Sequence, residues 1–231
     1  MTSTNTWLFE HLDCLDIDGL IVQTTGQTEG KGRNQRVWAK TFILFIGYSP
    51  TLYNRKYCGN HTTCRSSINK ALRKLTHLPF EIKWPNDILI GNHKTCGIWC
   101  ETKYQNENQP AIVVIGFGIN VNGNSSQYPS GTSKKVTIMQ MVTSSQYDIN
   151  MIRELVLNEF ERIYHTSIDR GLKPIIKEWE QLSCSIGRKI FFERGGNKII
   201  DEIVSILLGE IEFIESIYDK DDYTLELICN Y

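Results

Sequence analysis

Residues 80–101 read FEIKWPNDILIGNHKTCGIWCE, and the punctuation of this stretch decides the architecture. Phe80-Glu81-Ile82-Lys83-Trp84 alternates apolar and polar side chains, as a half-buried strand does, and stops at Pro85-Asn86-Asp87. Ile88-Leu89-Ile90 resumes as a short apolar run, Gly91-Asn92 turns the chain, and Lys94 leads into Cys96-Gly97-Ile98-Trp99-Cys100-Glu101. Two short runs joined by a Gly-Asn pair predict a β-hairpin.

Working outward, residues 111–121, AIVVIGFGINV, form a continuous apolar strand broken by two glycines and ended by the amide of Asn120. Glycine weakens a strand interior unless a ligand or another backbone must come close. Upstream, Ile68, Ala71, Leu72 and Leu75 recur at helical spacing from about Ser66 to before Pro79. Residues 50–64 are polar and read as irregular chain. Within them Cys58, His61 and Cys64 stand at C-x2-H-x2-C spacing. Zinc would ask for a fourth ligand, and none is nearby, so these read as loop residues and the metal assignment stays unknown. Cys96 and Cys100, with no histidine at ligand spacing, read as packing residues.

The run TFILFIGYS after Trp38 reads as a buried strand, and Leu20-Ile21-Val22 as another. Between them lies Gln27 to Trp38, QTEGKGRNQRVW, in which Gly30 and Gly32 flank Lys31 and Arg33 follows. A strand feeding a glycine-bearing cationic loop suits an anion, since glycine lets backbone N–H groups approach and Lys and Arg supply countercharge. Near the start, Ser3-Thr4-Asn5 precedes Trp7, Leu8 and Phe9, the pattern of a helix N-terminus. A long helix is expected from Asp148 to about Arg170 and another from Pro174 to Leu182. Beyond Cys184 β-branched runs predict a small β module.

Whole-chain properties narrow the function. The 231 residues, 41% hydrophobic and 22% charged, are ordinary for a globular protein. A formal net charge of −1 supplies no basic excess for general nucleic-acid binding. Seven scattered cysteines read as reduced thiols, which places the protein in a cytoplasmic compartment. No apolar run reaches the roughly 20 residues that span a bilayer, so no membrane association is expected.

Five motifs need a joint explanation, and together they resemble the biotin–protein ligases, among them the holocarboxylase synthetases. Ser3-Thr4-Asn5, Gly30-Lys31-Gly32-Arg33, Lys83 to Asp87 (KWPND), Lys94-x-x-Gly97-Ile98 and Gly116-x-Gly118-Ile119-Asn120 occur in the family's order. The resemblance covers about residues 3–183; residues 50–66 match nothing in the family pattern.

The resemblance implies an α/β (α+β) fold: a mixed β-sheet catalytic domain with flanking helices over 1–183, and a small C-terminal β-barrel-like domain over 184–231. It implies ATP-dependent activation of biotin as biotinyl-5'-AMP, with Mg2+, and transfer to a lysine of a biotin carboxyl carrier domain. Catalytic roles fall to Lys94, Arg33, Lys83 and Asp87. Biotin contacts fall to Ser3, Thr4, Asn5, Gln27, Lys31, Gly32, Arg33 and Lys94. Nucleotide contacts fall to Gly30, Lys31, Arg33, Trp38, Asn86 and Asn120. No helix-turn-helix is visible, so DNA binding is not expected, and monomer and homodimer both stay open. A non-catalytic biotin- or adenylate-binding paralogue and a lipoate–protein ligase remain alternatives. The Arg-Arg-x-x-Gly-Gly-Gly stretch of the lipoate enzymes is missing.

Overall fold

The hairpin expected within residues 80–101 forms, as two neighbouring strands of a six-stranded sheet. A computed structural model describes residues 3–11, 20–24, 26–30, 42–48, 59–103, 112–124, 135–194, 197–207, 210–213, 217–218 and 225–227. The sheet uses β1 (Leu20–Thr24), β2 (Phe42–Tyr48), β3 (Glu81–Lys83), β4 (Asp87–Ile90), β5 (His93–Lys103) and β6 (Ile112–Ile119) in the order β1-β2-β6-β5-β4-β3. Gly91 and Asn92, with φ of 52° and 66°, make the β4–β5 turn. Two successive left-handed residues match the right-handed twist of the flanking strands, and Gly and Asn accept that conformation most readily.

Every pairing among these strands is antiparallel, which corrects the mixed sheet expected from the sequence. Strands β3 to β6 follow one another as a meander, β2 then pairs β6, and the helical crossover from β2 ends at β3 on the opposite edge. No crossover therefore sets two named strands parallel. Among the described residues, parallel pairing is confined to the isolated bridges Ile82↔Ser183 and Lys94↔Val136.

One face of the sheet carries the core. From α2 (Gly59–Thr76), Cys64, Ile68, Ala71 and Leu72 lie between the sheet and α4 (Ile149–Arg170). They meet Ile88 of β4, Cys96 and Ile98 of β5, Ile115, Phe117 and Ile119 of β6, and Ile152, Val156 and Phe160 of α4. Alternation along each strand sends these side chains to one face, and each large one contributes about 1.5–3 kcal/mol through burial. Asp148 caps α4 by accepting a hydrogen bond from Asn150 N at 2.9 Å, and Gly171 (φ 72°) ends it. Glu159, buried in this layer, accepts hydrogen bonds from Lys74 and from Arg162 at 3.0 Å. Burial works to raise its carboxyl, but these bonds and the two cations outweigh it and hold the group below its ordinary range.

Helix α2 begins at Gly59, so the irregular chain expected to Cys64 is corrected. Its first half is polar yet buried on all sides: Thr62, Thr63, Arg65, Ser66, Ser67 and Asn69 are each 5% exposed or less. A polar run without an apolar stripe imitates a loop, and only the surrounding elements make this one a helix. Cys64 is a core residue rather than a loop residue. Cys58 lies outside the described residues, as do the details of the His61 side chain.

Two short helices, α3 (Met139–Thr143) and α5 (Lys173–Leu182), complete this layer, and α1 (Thr4–His11) at the start of the chain packs on β1, β2 and β6. Strands β7 (Lys189–Arg194), β8 (Asn197–Leu207), β9 (Glu210–Phe213), β10 (Ile217–Tyr218) and β11 (Leu225–Leu227) form a second antiparallel sheet ordered β10-β9-β8-β7-β11. It is stitched to the first: Cys184 N donates to Ile82 O at 2.9 Å, and Trp84 N donates to Ser185 Oγ at 2.9 Å. No helix among the described residues is long and apolar enough to cross a membrane.

Candidate functional site

The opposite face of the sheet is built differently. Antiparallel register pairs Trp99 with Gly116 and Gly97 with Gly118, and Asp87 lies across from Gly97. Paired residues share a face, so three glycines leave a bare floor there, bounded by Trp99 and Asp87. Continuing the row past Cys96↔Ile119 brings Thr95 beside Asn120, and Asn120 N donates to Thr95 O at 2.8 Å. The floor of this trough thus ends in a hydroxyl and an amide.

Lys94 reaches the trough only because the strand is irregular. Cys96 and Ile98 point into the core, and strict alternation would send Lys94 there as well. A register shift between Ile88 and Leu89 pairs Leu89 with Lys94 and leaves Thr95 as an extra residue. This bulge turns Lys94 onto the face of Asp87, where Lys94 Nζ and Asp87 Oδ1 form an ion pair at 2.5 Å. The Lys94 backbone is held from a third direction: its N donates to Lys135 O and its O accepts from Thr137 N, both at 2.9 Å. Asn120 joins the same segment through Nδ2 to Thr137 O at 3.1 Å. Lys83 sits across from Asp87 in the β3–β4 pair, and Asn86 O accepts from Ile98 N at 2.8 Å.

A second group assembles at the N-terminal helix. Thr4 N and Thr4 Oγ1 both donate to Gln27 Oε1, at 2.6 and 2.8 Å. Ser3, buried, accepts weakly from Thr6 N through Oγ at 3.5 Å, as an N-cap does. Helix α1 packs on β1, β2 and β6, and its fully buried Leu8 lies outside the α2–α4 core cluster. That arrangement assigns α1 to the trough face. Gly30, the last described residue of its loop, is buried. Lys31, Gly32, Arg33 and Trp38 lie outside the described residues, as does the side chain of Asn5.

The described thiols here are packing groups. Burial pushes Cys96 and Cys64 far up, beyond what Lys94 or Arg65 offsets, so both stay protonated at neutral pH. Among the described residues no group of three or more His, Cys, Asp or Glu side chains could hold a metal ion.

Sequence reading missed Thr95, the 135–137 segment and Arg65. Parity carried a faint signal for the first: a lysine two residues before a core cysteine on one strand is at odds with strict alternation. Arg65 gave no such signal. The residue is 3% exposed, its Nε and Nη1 have no hydrogen-bond partner among the described residues, and burial pushes its guanidinium down to about 10 against the opposing pull of Cys100, Cys64 and Asp87.

Known proteins resemble the chain in sequence and in fold. The bifunctional ligase/repressor BirA of Bacillus spizizenii is 28% identical over 216 residues, covering 88% of this chain and 66% of its own length. The biotin–[acetyl-CoA-carboxylase] ligase of Mycobacterium tuberculosis is 28% identical over 193 residues, covering 79% of this chain and 68% of its own. The chain thus spans about two thirds of the length of these relatives. A solved biotin protein ligase from Aquifex aeolicus, in complex with biotin and ATP, superposes with a TM-score of 0.80 at 22% identity over 98% of this chain and 95% of that one, a likeness of fold. The profile of the Biotin/lipoate A/B protein ligase family matches residues 1–120, more than half of the 231. The chain belongs to the Biotin/lipoate A/B protein ligase family.

Proposed function

We propose that this chain is an ATP-dependent biotin–protein ligase. In the first step an oxygen of the biotin carboxylate attacks the α-phosphorus of ATP and diphosphate leaves, giving biotinyl-5'-AMP. In the second, the ε-amine of a lysine on a biotin carboxyl carrier domain attacks the biotinyl carbonyl carbon. AMP leaves and the amine gives up a proton. The observation that carries this reading is Lys94, turned by a bulge onto a glycine-floored trough and paired there with Asp87. Two anions must meet in the first step, and a fixed ammonium at their meeting point offsets the repulsion.

The remaining roles follow the resemblance. Lys31, Gly32 and Arg33, with Gly30, would close over the adenylate, and Trp38 would pack on it. Gln27, Ser3, Thr4 and Asn5 would take the ureido end of biotin. Asn86 and Asn120 would face the nucleotide, and Lys83 and Asp87 would flank the reacting groups. In support, Gln27 Oε1 is already engaged by Thr4, so both belong to one polar cluster. Asp87 as the base for the acceptor lysine is the sharpest of these roles. The Asp87→Asn variant should transfer biotin from preformed biotinyl-adenylate far more slowly; transfer at the wild-type rate removes the base role. Magnesium would enter held by the phosphates of the nucleotide.

We divide the chain into a catalytic domain, 1–183, and a barrel-like C-terminal domain, 184–231. The reading extends to a cytoplasmic enzyme that acts without nucleic acid or membrane and is able to pair with a second copy. The deciding experiment incubates the protein with ATP, magnesium, biotin and a carrier domain and probes the carrier for biotin. Biotin bound but never transferred would point to a non-catalytic paralogue. Lipoate in place of biotin would point to the sister activity of the family.

A further inference from the structure

Two buried polar atoms at the end of the trough have no partner among the described residues: Thr95 Oγ1 and Asn120 Oδ1. Their residues are 0% and 3% exposed. They are cross-strand neighbours on the ligand-facing row, next to Lys94, and that placement is set by backbone hydrogen bonds rather than by either side chain. A buried polar atom left unpaired is costly, and native proteins keep few of them away from working sites. The Asn120 amide is fixed in orientation because Nδ2 is committed to Thr137 O. Its oxygen is therefore an acceptor only, while the Thr95 hydroxyl beside it is free to rotate and donate.

We infer that Thr95 is a specificity-determining residue for the nucleotide base, donating to a ring nitrogen of a 6-aminopurine whose exocyclic amine donates to Asn120 Oδ1. The inference rests on the ligase reading and sharpens it. An acceptor held beside a donor matches the amine-and-nitrogen edge of adenine. A 6-oxo purine would set its own oxygen against Asn120 Oδ1. The bulge at Thr95 thus serves two purposes: it turns Lys94 into the trough and adds a hydroxyl beside it.

The test is biotin-dependent diphosphate release by the full chain, with ATP and with ATP analogues lacking one ring nitrogen (1-deaza and 7-deaza). Thr95→Val should raise the KM for ATP about fivefold to tenfold, as loss of one hydrogen bond does, and leave the KM for biotin unchanged. Thr95→Ser should restore it. One deaza analogue should show the same loss with wild-type protein and no further loss with Thr95→Val. The Tm of Thr95→Val should equal or exceed that of wild type, because an unpaired hydroxyl has been removed.

An unchanged KM for ATP in an active Thr95→Val overturns the inference and leaves the ligase reading standing. If Thr95→Val does not fold, equal use of ATP and both deaza analogues by the wild type overturns it just as well. Absence of diphosphate release from the wild type counts against the ligase reading instead. Calorimetric titration with ATP then still tests Thr95, and equal affinity of wild type and Thr95→Val overturns the inference.

Discussion

The two faces of the six-stranded sheet come from the same strands and differ in every other respect. Toward α2 and α4 the strands present Ile88, Cys96, Ile98, Ile115, Phe117 and Ile119, all 3% exposed or less. Toward the other side the same strands offer Gly97, Gly116 and Gly118, the Lys94–Asp87 pair and two polar atoms with no partner among the described residues. Period-2 alternation makes this division possible, because each strand can write two unrelated messages on its odd and even positions. One face supplies stability and the other gives some of it up for chemistry.

The comparison breaks most visibly at Phe117. Phe117→Ala should destabilise the fold by about 3–5 kcal/mol, as emptied aromatic sites do. Chemical denaturation measures this, and the fraction that stays folded should keep its KM for biotin. Lys94→Ala should do the reverse. Diphosphate release should slow about 100–1000-fold, roughly 3–4 kcal/mol of barrier, with the denaturation midpoint nearly unmoved. A Lys94→Ala protein that still releases diphosphate at the wild-type rate would take the site away from the trough.

A pH series sharpens the packed side. The Glu159 carboxyl is held low in the folded state by Lys74 and Arg162, so its contribution is present above the unfolded carboxyl range near pH 4.3. That contribution fades as acidification proceeds through the lower folded value. Glu159→Gln should cost about 2 kcal/mol at pH 7 and flatten the loss of stability below pH 5. Parallel acid profiles for the two proteins would contradict the assignment. The smallest effect is expected at Arg65. Replacing this buried guanidinium, whose Nε and Nη1 have no hydrogen-bond partner among the described residues, by Met should gain about 1 kcal/mol. If Arg65→Met instead slows the reaction with no gain in Tm, Arg65 belongs with the working face.

How much of this was legible before the structure depends on which signal a residue carries. The hairpin, β6, α4 and α5 follow from turn chemistry and apolar periodicity, and the motif order pointed to the family. The start of α2 was hidden because Thr62, Thr63, Arg65, Ser66 and Asn69 are polar, and tertiary burial rather than composition makes that stretch helical. Asp87 and Lys94 were visible as residues, but their pairing depends on a register shift that no local pattern states outright. The Lys94 backbone bonds to residues 135–137 were invisible for a different reason: they join segments far apart in the chain, and neither end advertises the other.

Those bonds have a consequence in time. Residues 80–101 can close their hairpin as soon as they leave the ribosome, since the contacts are local and such closures take microseconds. The Lys94 backbone, however, acquires its second set of partners only when Lys135 and Thr137 arrive, and Asn120 waits for the same segment. Whatever shape residues 80–101 take earlier, the site is complete only after residues 135–137 have been made.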